Sequence, residues 1–252
     1  MTFFIRLYRI TALLLWAVFV ALLTVPYQFK SGWIGVKRIS HFTHLWSKGI
    51  AKIINLRVKV YGDVPSFTGG LVVSNHLSYL DIITHGSVLP LRYSPKADIA
   101  KWPILGSYIG LSRPIWTDRE SKRSSIKTLR AFAKTMKHGM YLIVYPEGTS
   151  TDGRRGILPF KSTSFEAAII GNAPILPVLI SYKEASGSQP ICWYGDMTLL
   201  PHVWGLLKLR SIEARLRFLP PIYPEGRSRK ELASFVHDVM AREYGEAWIK
   251  LP

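Results

Sequence analysis

The sequence has only one cysteine, few acidic residues and no histidines at metal-ligand spacing. Cys192 alone excludes an internal disulfide framework and supplies no zinc cluster. Because 16 Asp and Glu stand against 33 Lys and Arg, the formal net charge is +17. Such an excess fits nucleic acid, or an anionic membrane surface with phosphorylated substrates. No helix-turn-helix, zinc-finger or RNP-like aromatic pattern accompanies it, so nucleic acid is the weaker interpretation and no metal site is expected.

An uncharged apolar segment of twenty residues runs from Ile10 to Phe29. An α-helix needs about 20 such residues to cross a bilayer core. No small-x-small cleavage site follows, so we expect a retained membrane segment rather than a signal peptide. Basic residues lie on both sides of it, so its orientation is not determined.

A second stretch, residues 39–54, has apolar residues at helical spacing and a polar opposite face. This pattern predicts an amphipathic interfacial helix. Residues 1–55 are therefore predicted to form a two-helix membrane-binding hairpin joined near Gly32, which either spans the bilayer or enters one leaflet. The alternative for the second helix is packing on the globular domain.

Residues 56–252 alternate short β-branched runs with helical patterns, which predicts an α/β domain. Strands are predicted at Arg57–Tyr61, Leu71–Ser74, Tyr141–Tyr145, Ile175–Ile180 and Ile212–Phe218, with shorter ones at Arg92–Ser94, Ser112–Trp116 and Ile191–Tyr194. Helices are predicted at Ser78–Val88, Trp102–Ile109, Glu120–His138, Ser162–Gly171 and Ser228–Ile249. In the third helix the predicted inward stripe is Ile126, Leu129, Phe132, Ala133 and Met136.

Positive charge is concentrated in residues 86–161, which hold 14 Lys and Arg against 5 Asp and Glu. This block supplies +9 of the total +17. It is either a solvated basic surface or a surface that binds anionic partners such as phosphates and acidic proteins.

His76 and Asp81 stand five positions apart, directly after the apolar run 71–73. A buried strand that ends here and opens a helix points the imidazole out of the end of a sheet, where the aspartate can reach back to hold it. A histidine held by an aspartate is the base half of a hydrolase triad, yet no serine or cysteine elbow lies nearby. We therefore expect the base to activate a hydroxyl that the substrate brings. Ser78 is the nearest rival nucleophile.

A second motif, Tyr145-Pro146-Glu147-Gly148-Thr149-Ser150, follows another apolar strand. Proline ends the sheet pairing, and glycine permits a tight turn beside a carboxylate. Together with the NHxxxxD motif of residues 75–81 and the basic block between them, it resembles the PlsC-type glycerolipid acyltransferases, which include the 1-acylglycerol-3-phosphate acyltransferases. The resemblance covers roughly residues 35–220.

This resemblance implies a role for each matching position. His76 corresponds to the base of the family and Asp81 to the residue that orients it. The substrate-binding positions that match are Asn75, Arg119, Glu147, Gly148, Thr149 and Lys161. Of these, Asn75 is also expected to hold the turn. Glu147 is expected either to bind the acceptor head group or to fix its loop by an ion pair with Arg119. The N–H groups of Gly148 and Thr149 are expected to form part of an oxyanion hole or phosphate cradle.

The resemblance further implies a mixed sheet flanked by helices and an O-acyltransferase without metal or redox cofactor. The acyl donor would be acyl-CoA or acidic acyl-carrier protein. The acceptor would be a membrane lysolipid, and 1-acylglycerol-3-phosphate is the first candidate. Such an enzyme is expected at the cytoplasmic side of a bacterial inner membrane. Two alternatives are a lipid-dependent hydrolase and a non-catalytic anionic-lipid-binding protein.

One departure from the family pattern concerns the acceptor. In 1-acylglycerol-3-phosphate enzymes an arginine, suited to phosphate, commonly follows the EGT sequence, whereas this chain has Ser150. This version looks closer to enzymes for other lysolipids, including lyso-ornithine lipid and lysophosphatidylcholine. Arg154 and Arg155 could supply the charge from further along the loop.

Overall fold

The computed structural model describes residues 2–65, 69–118, 122–183 and 190–245. Its strands are β1 (Leu56–Tyr61), β2 (Gly70–Ser74), β3 (Leu91–Arg92), β4 (Tyr141–Val144), β5 (Ile175–Lys183) and β6 (Ile212–Phe218). They form one sheet in the order β1-β6-β5-β2-β4-β3. Neighbours among β2, β3, β4 and β5 run parallel, β6 is antiparallel to β5, and β1 is parallel to β6. The predicted α/β class with a mixed sheet is confirmed.

Helices cover both faces of this sheet. They are α1 (Thr2–Gln28), α2 (Gly32–Ile53), α3 (Leu80–Val88), α4 (Leu105–Gly110), α5 (Lys122–Lys137), α6 (Phe165–Gly171), α7 (Leu199–Leu206) and α8 (Arg229–Glu243), with 3-10 turns at Ala97–Lys101 and Ser162–Ser164. Buried side chains of α5, α6 and α8 pack on one face. Those of α2, α3 and α7 pack on the other face, with the N-terminal half of α1 outside them.

The two N-terminal helices pack against each other as an antiparallel hairpin. Trp16 Nε1 donates to the carbonyl oxygen of Trp46 at 3.0 Å, and nearer the turn the rings of Tyr27 and Phe42 lie 5.4 Å apart. Within the described residues, α1 is the one helix long and apolar enough to cross a membrane. The pairing of the two helices is confirmed, whereas their binding to a membrane and the division at residue 55 into a membrane part and an enzyme part stay predictions.

Both ends of α1 are tied to the α/β domain. Arg9, which is 6% exposed, donates to the carbonyl oxygens of Leu207 at 3.0 Å and Leu209 at 2.6 Å. Near the other end, Gln28 Nε2 donates to the carbonyl oxygen of Leu111 at 2.6 Å. A helix of 27 residues is about 40 Å long, so α1 lies along the domain and does not project from it.

Several predicted elements differ from the structure. Residues 112–116 form no strand because Arg113 has a φ of +48° and Pro114 lacks a backbone donor. Residues 191–194 form a loop whose Trp193 N–H donates to Leu77 O at 2.8 Å, instead of a strand.

Helix α7 was not predicted, because its sequence LLPHVWGL contains Pro201 and Gly205. Proline is accepted here because it lies in the first turn, where its missing N–H has no helical partner. The predicted inward stripe of α5 is confirmed at Phe132, Ala133 and Met136, whereas Ile126 is 56% exposed. The last helix ends at Glu243, and the rest of its predicted range lies mostly outside the described residues.

Candidate active site

Two loops that carry the predicted site residues leave the same edge of the sheet. Strands β2 and β4 are parallel neighbours, with Val73 opposite Val144. Their carboxyl ends therefore meet, and ligand sites in open α/β sheets lie beyond such ends. The loop that starts at Asn75 and the loop that starts at Tyr145 come together there.

The predicted His–Asp pair is formed. His76 Nδ1 lies 2.7 Å from Asp81 Oδ2, and the His76 side chain is 22% exposed while that of Asp81 is fully buried. An Nδ1 proton donated to the carboxylate leaves the Nε2 lone pair free to accept a proton. Among the described residues, no group hydrogen-bonds to Nε2. The arrangement is that of a general base open to a substrate.

Asp81 is held in place by donors on three sides. Its Oδ2 also accepts the backbone N–H groups of Leu77 at 2.7 Å and Ser78 at 3.1 Å, and its Oδ1 accepts the Tyr182 hydroxyl at 2.7 Å. These bonds fix the carboxylate and therefore the plane of the imidazole. Ser78 is fully buried, which disfavours it as a nucleophile.

The ring of Tyr145 stacks on the imidazole of His76, with centroids 4.3 Å apart and 20° between the planes. His85 lies edge-on to the ring of Tyr145, with centroids 5.9 Å apart, and its Nδ1 is 2.7 Å from the Asp81 backbone oxygen. Burial lowers the pKa of His85 to about 4, so this ring is neutral at neutral pH. It adds no second positive charge beside His76.

Within the described residues, Glu147 binds backbone N–H groups of the polypeptide. Its Oε1 accepts the His76 N–H at 2.7 Å and its Oε2 accepts the Leu158 N–H at 2.9 Å. The residue is 5% exposed, and burial raises the pKa of its carboxyl group. The carboxylate thus joins the two loops at the base residue. Its predicted alternative partner, Arg119, lies outside the described residues.

Asn75 joins the base loop to the sheet. Its amide donates to Ile180 O at 3.0 Å and accepts from Ile180 N at 2.9 Å, and it is 1% exposed. Both the nitrogen and the oxygen of the side-chain amide are therefore hydrogen-bonded within the protein. Asn75 holds the turn that presents His76, and the structure does not place it on a substrate surface.

The turn at Gly148 differs from the expectation for an oxyanion hole. Gly148 has a φ of +79°, and its N–H donates to Tyr145 O at 3.1 Å. Its N–H is thus used within the turn, whereas Thr149 is exposed and its N–H has no partner among the described residues. A side chain at position 148 would lie 2.6 Å from Lys161 Nζ. Lys161 is therefore close to this turn, and its predicted role in substrate binding stays a prediction.

Ser150, the position that departs from the family pattern, is engaged with a third loop. Its hydroxyl donates to the backbone oxygen of Trp193 at 2.6 Å. The Trp193 N–H in turn donates to Leu77 O at 2.8 Å, and its ring lies edge-on to Tyr79 at 5.9 Å. The third loop therefore packs beside the base loop and forms a wall of the site.

Sequence reasoning missed the supporting residues Tyr145 and Tyr182 as well as the loop around Trp193. Tyr145 had a detectable signal, since it stands two positions before Glu147 at a strand end. Tyr182 and Trp193 had none, because their contacts join residues about a hundred positions apart. In the part of the chain that is described, no group of three or more His, Cys, Asp or Glu side chains is placed to hold a metal ion.

Comparisons with known proteins agree with this geometry. A family model described as Acyltransferase matches residues 57–181. The chain is similar to a Rhodobacter capsulatus protein named lyso-ornithine lipid O-acyltransferase, at 32% identity over 191 residues, 72% of this chain and 68% of the relative. The Brucella abortus protein of the same name is 28% identical over 249 residues, 91% of this chain and 90% of the relative.

The fold also resembles a solved structure. The crystal structure of the 1-acyl-sn-glycerophosphate acyltransferase PlsC from Thermotoga maritima superposes with a TM-score of 0.69 at 21% identity. The match covers 100% of this chain and 98% of that one. At this identity the likeness concerns the fold, including its N-terminal helices.

Proposed function

The chain belongs to the PlsC-type acyltransferases, and on that premise we propose that it transfers a fatty acyl group from a thioester to the hydroxyl of lyso-ornithine lipid. Acyl transfer to a lysolipid is the activity for which its relatives are named. The observation that carries the proposal is a histidine base fixed by a buried aspartate, while the nearest serine, Ser78, is fully buried and out of reach of a substrate.

In the proposed reaction the lysolipid hydroxyl is the nucleophile. His76 Nε2 takes the hydroxyl proton as the oxygen attacks the thioester carbonyl, and Asp81 stabilises the imidazolium that forms. The Thr149 N–H is the candidate donor to the tetrahedral oxyanion. As the carbon–sulfur bond breaks, the imidazolium returns the proton to the departing thiolate. The products are an ester and a free thiol, and the base is restored.

Two observations favour lyso-ornithine lipid over 1-acylglycerol-3-phosphate as the acceptor. Ser150 stands where the phosphate enzymes commonly have arginine, and its hydroxyl is bonded to Trp193. In addition, the Brucella abortus relative named for lyso-ornithine lipid matches 91% of this chain, whereas a Neisseria meningitidis relative named 1-acyl-sn-glycerol-3-phosphate acyltransferase matches 68%.

1-Acylglycerol-3-phosphate is the second candidate. Arg154 and Arg155 are exposed on the loop that follows Ser150, where they could pair with a phosphate. The donor is proposed to be acyl-CoA or acyl-carrier protein, since both present negative charge to the basic block of residues 86–161. The apolar face of α1 supports a location at the membrane, which we propose to be the cytoplasmic face of a bacterial inner membrane.

A panel of acceptors tests this function directly. The detergent-solubilised protein is incubated with an acyl thioester and lyso-ornithine lipid, 1-acylglycerol-3-phosphate or lysophosphatidylcholine, and products are identified by mass. We expect ornithine lipid to form fastest and thiol release to require a lysolipid. Faster formation of phosphatidate would instead identify 1-acylglycerol-3-phosphate as the preferred acceptor. Thiol release at the same rate without any lysolipid would identify a hydrolase.

A further inference from the structure

An isoleucine in the segment before α4 combines backbone strain with nearly complete exposure. Ile104 has a φ of +63° and is 86% exposed. The Leu105 N–H donates to Pro103 O at 2.6 Å, which closes a γ-turn around Ile104. A β-branched residue is disfavoured at positive φ, and such strain concentrates at functional sites. Neither the backbone nor packing within the protein accounts for isoleucine here.

Its neighbours share this exposure. Trp102 is 46% exposed and Leu105 is 38% exposed, while Lys101 and Pro103 are also on the surface. A tryptophan beside a lysine, followed by aliphatic side chains, is the composition found where proteins meet the membrane–water interface. We call residues 102–105 the apolar tip.

The apolar tip belongs to a segment that runs along α1. Four residues beyond Ile104, the Tyr108 hydroxyl donates to Ala17 O at 3.4 Å, and Leu111 O accepts from Gln28 at 2.6 Å. Around Ala17, α1 turns five large apolar side chains to the outside, namely Leu14, Leu15, Val18, Phe19 and Leu22. The tip therefore lies beside an apolar surface of α1 that the rest of the protein does not bury.

We propose that the apolar tip inserts into the phospholipid bilayer next to α1, as a second point of attachment separate in sequence from the helical hairpin. This inference rests on the proposed membrane location of α1. A bilayer is the occupant that suits both surfaces, because it covers the helix and the tip together. Two attachment points fix the tilt of the α/β domain, whereas attachment through α1 alone leaves the whole protein free to roll about the axis of that helix.

Photo-crosslinking in vesicles tests the contact. Benzoylphenylalanine is placed, in separate full-length proteins, at the position of Leu15, Ile104 or Ile170. The vesicles contain phosphatidylethanolamine, phosphatidylglycerol and a trace of phospholipid with an alkyne at the acyl-chain end. Ile170 is the matched control, since it is 45% exposed on α6, which packs on the opposite face of the sheet from α2 and α3.

We expect lipid adducts from positions 15 and 104 and only background from position 170. Adducts at position 15 with background at position 104 would contradict insertion of the apolar tip but would agree with the membrane location of α1. Background at all three positions would overturn both. The acceptor panel in detergent does not depend on either result, so acyl transfer is judged independently.

The Ile104→Gly variant separates insertion from folding. Glycine removes the side chain and adopts positive φ without strain, so the unfolding temperature should hold or rise. Loss of an inserted side chain should lower the rate on acceptor embedded in vesicles by about threefold or more relative to the rate in micelles. Ile170→Ser should leave that ratio unchanged. An unchanged ratio in Ile104→Gly would contradict a role for the tip at the bilayer.

Discussion

The segments that follow β2 and β4 each carry one buried carboxylate, Asp81 in the first turn of α3 and Glu147 in a loop, and the two carboxylates have different partners. Asp81 binds an imidazole, a phenol and two backbone N–H groups. Glu147 binds two backbone N–H groups, one from each side of the site. The first carboxylate controls a ring that can exchange a proton, whereas the second controls where the chain lies. We therefore expect Asp81 to affect the chemistry and Glu147 to affect mainly the position of the backbone.

The largest expected effect is on the Asp81 side of this comparison. Asp81→Asn keeps the shape but can present an amide N–H to His76, which favours the wrong tautomer. We expect kcat to fall by about a thousandfold to ten-thousandfold, by analogy with the same change in a serine protease triad. Steady-state acyl transfer measures this loss, with the unfolding temperature as control. A rate within tenfold of the parent would contradict the orienting role.

Glu147→Gln tests the other carboxylate. Glutamine has one oxygen for two N–H donors, so one buried donor loses its partner. The free energy of unfolding should fall by about 1–3 kcal/mol, measured by denaturant titration in detergent. A stability equal to that of the parent, together with a raised KM for the lysolipid, would assign Glu147 to acceptor binding instead.

Tyr145 connects the two loops through its ring. An aromatic face next to imidazolium stabilises the cation, and such contacts are worth about 0.5–2 kcal/mol. We therefore expect Tyr145→Leu to lower kcat by about twofold to thirtyfold while KM changes little. Tyr145→Phe is the matched control, because it keeps the ring and removes the hydroxyl. Equal loss in both variants would show that the hydroxyl, and not the stacked face, is what matters.

The last expected effect, which is absent near neutral pH, is a pH dependence of stability from His85. Burial lowers the pKa of this residue to about 4 in the folded protein, against about 6.5 when unfolded. The unfolded chain therefore binds the proton first, and stability should fall as pH drops from about 6.5 towards 4. Above about pH 6.5, His85 does not make the stability depend on pH.

His85→Asn should flatten this acid-side slope in denaturant titrations. A remaining slope is expected from His44 and His202, whose pKa values burial also lowers. An identical slope in parent and variant would contradict the neutral, buried state of His85.

The sequence predicted those features of the site that depend on neighbouring residues. The five-residue spacing of His76 and Asp81 follows from a strand that opens a helix, and the structure forms that pair. The partners of Glu147 and Asn75 were not predictable, because they include backbone groups of His76 and Ile180, which lie in other segments of the chain. Local pattern cannot show which distant N–H a carboxylate will meet.

The same reason explains the errors in the fold. Ser112–Trp116 has strand composition, but its conformation is set by Arg113, whose guanidinium binds Gln28 O and Lys30 O at the end of α1. The strands of the central sheet were predicted well because burial on both faces makes them continuous apolar runs.

The central claim is that His76 is the base in acyl transfer to a lysolipid hydroxyl. Its most direct test is the rate of ester formation by purified His76→Ala with lyso-ornithine lipid and an acyl thioester, scored by product mass. The account predicts a loss of about a thousandfold or more, in a protein that keeps the parent's unfolding temperature and vesicle binding. Ester formation near the parent rate would contradict it.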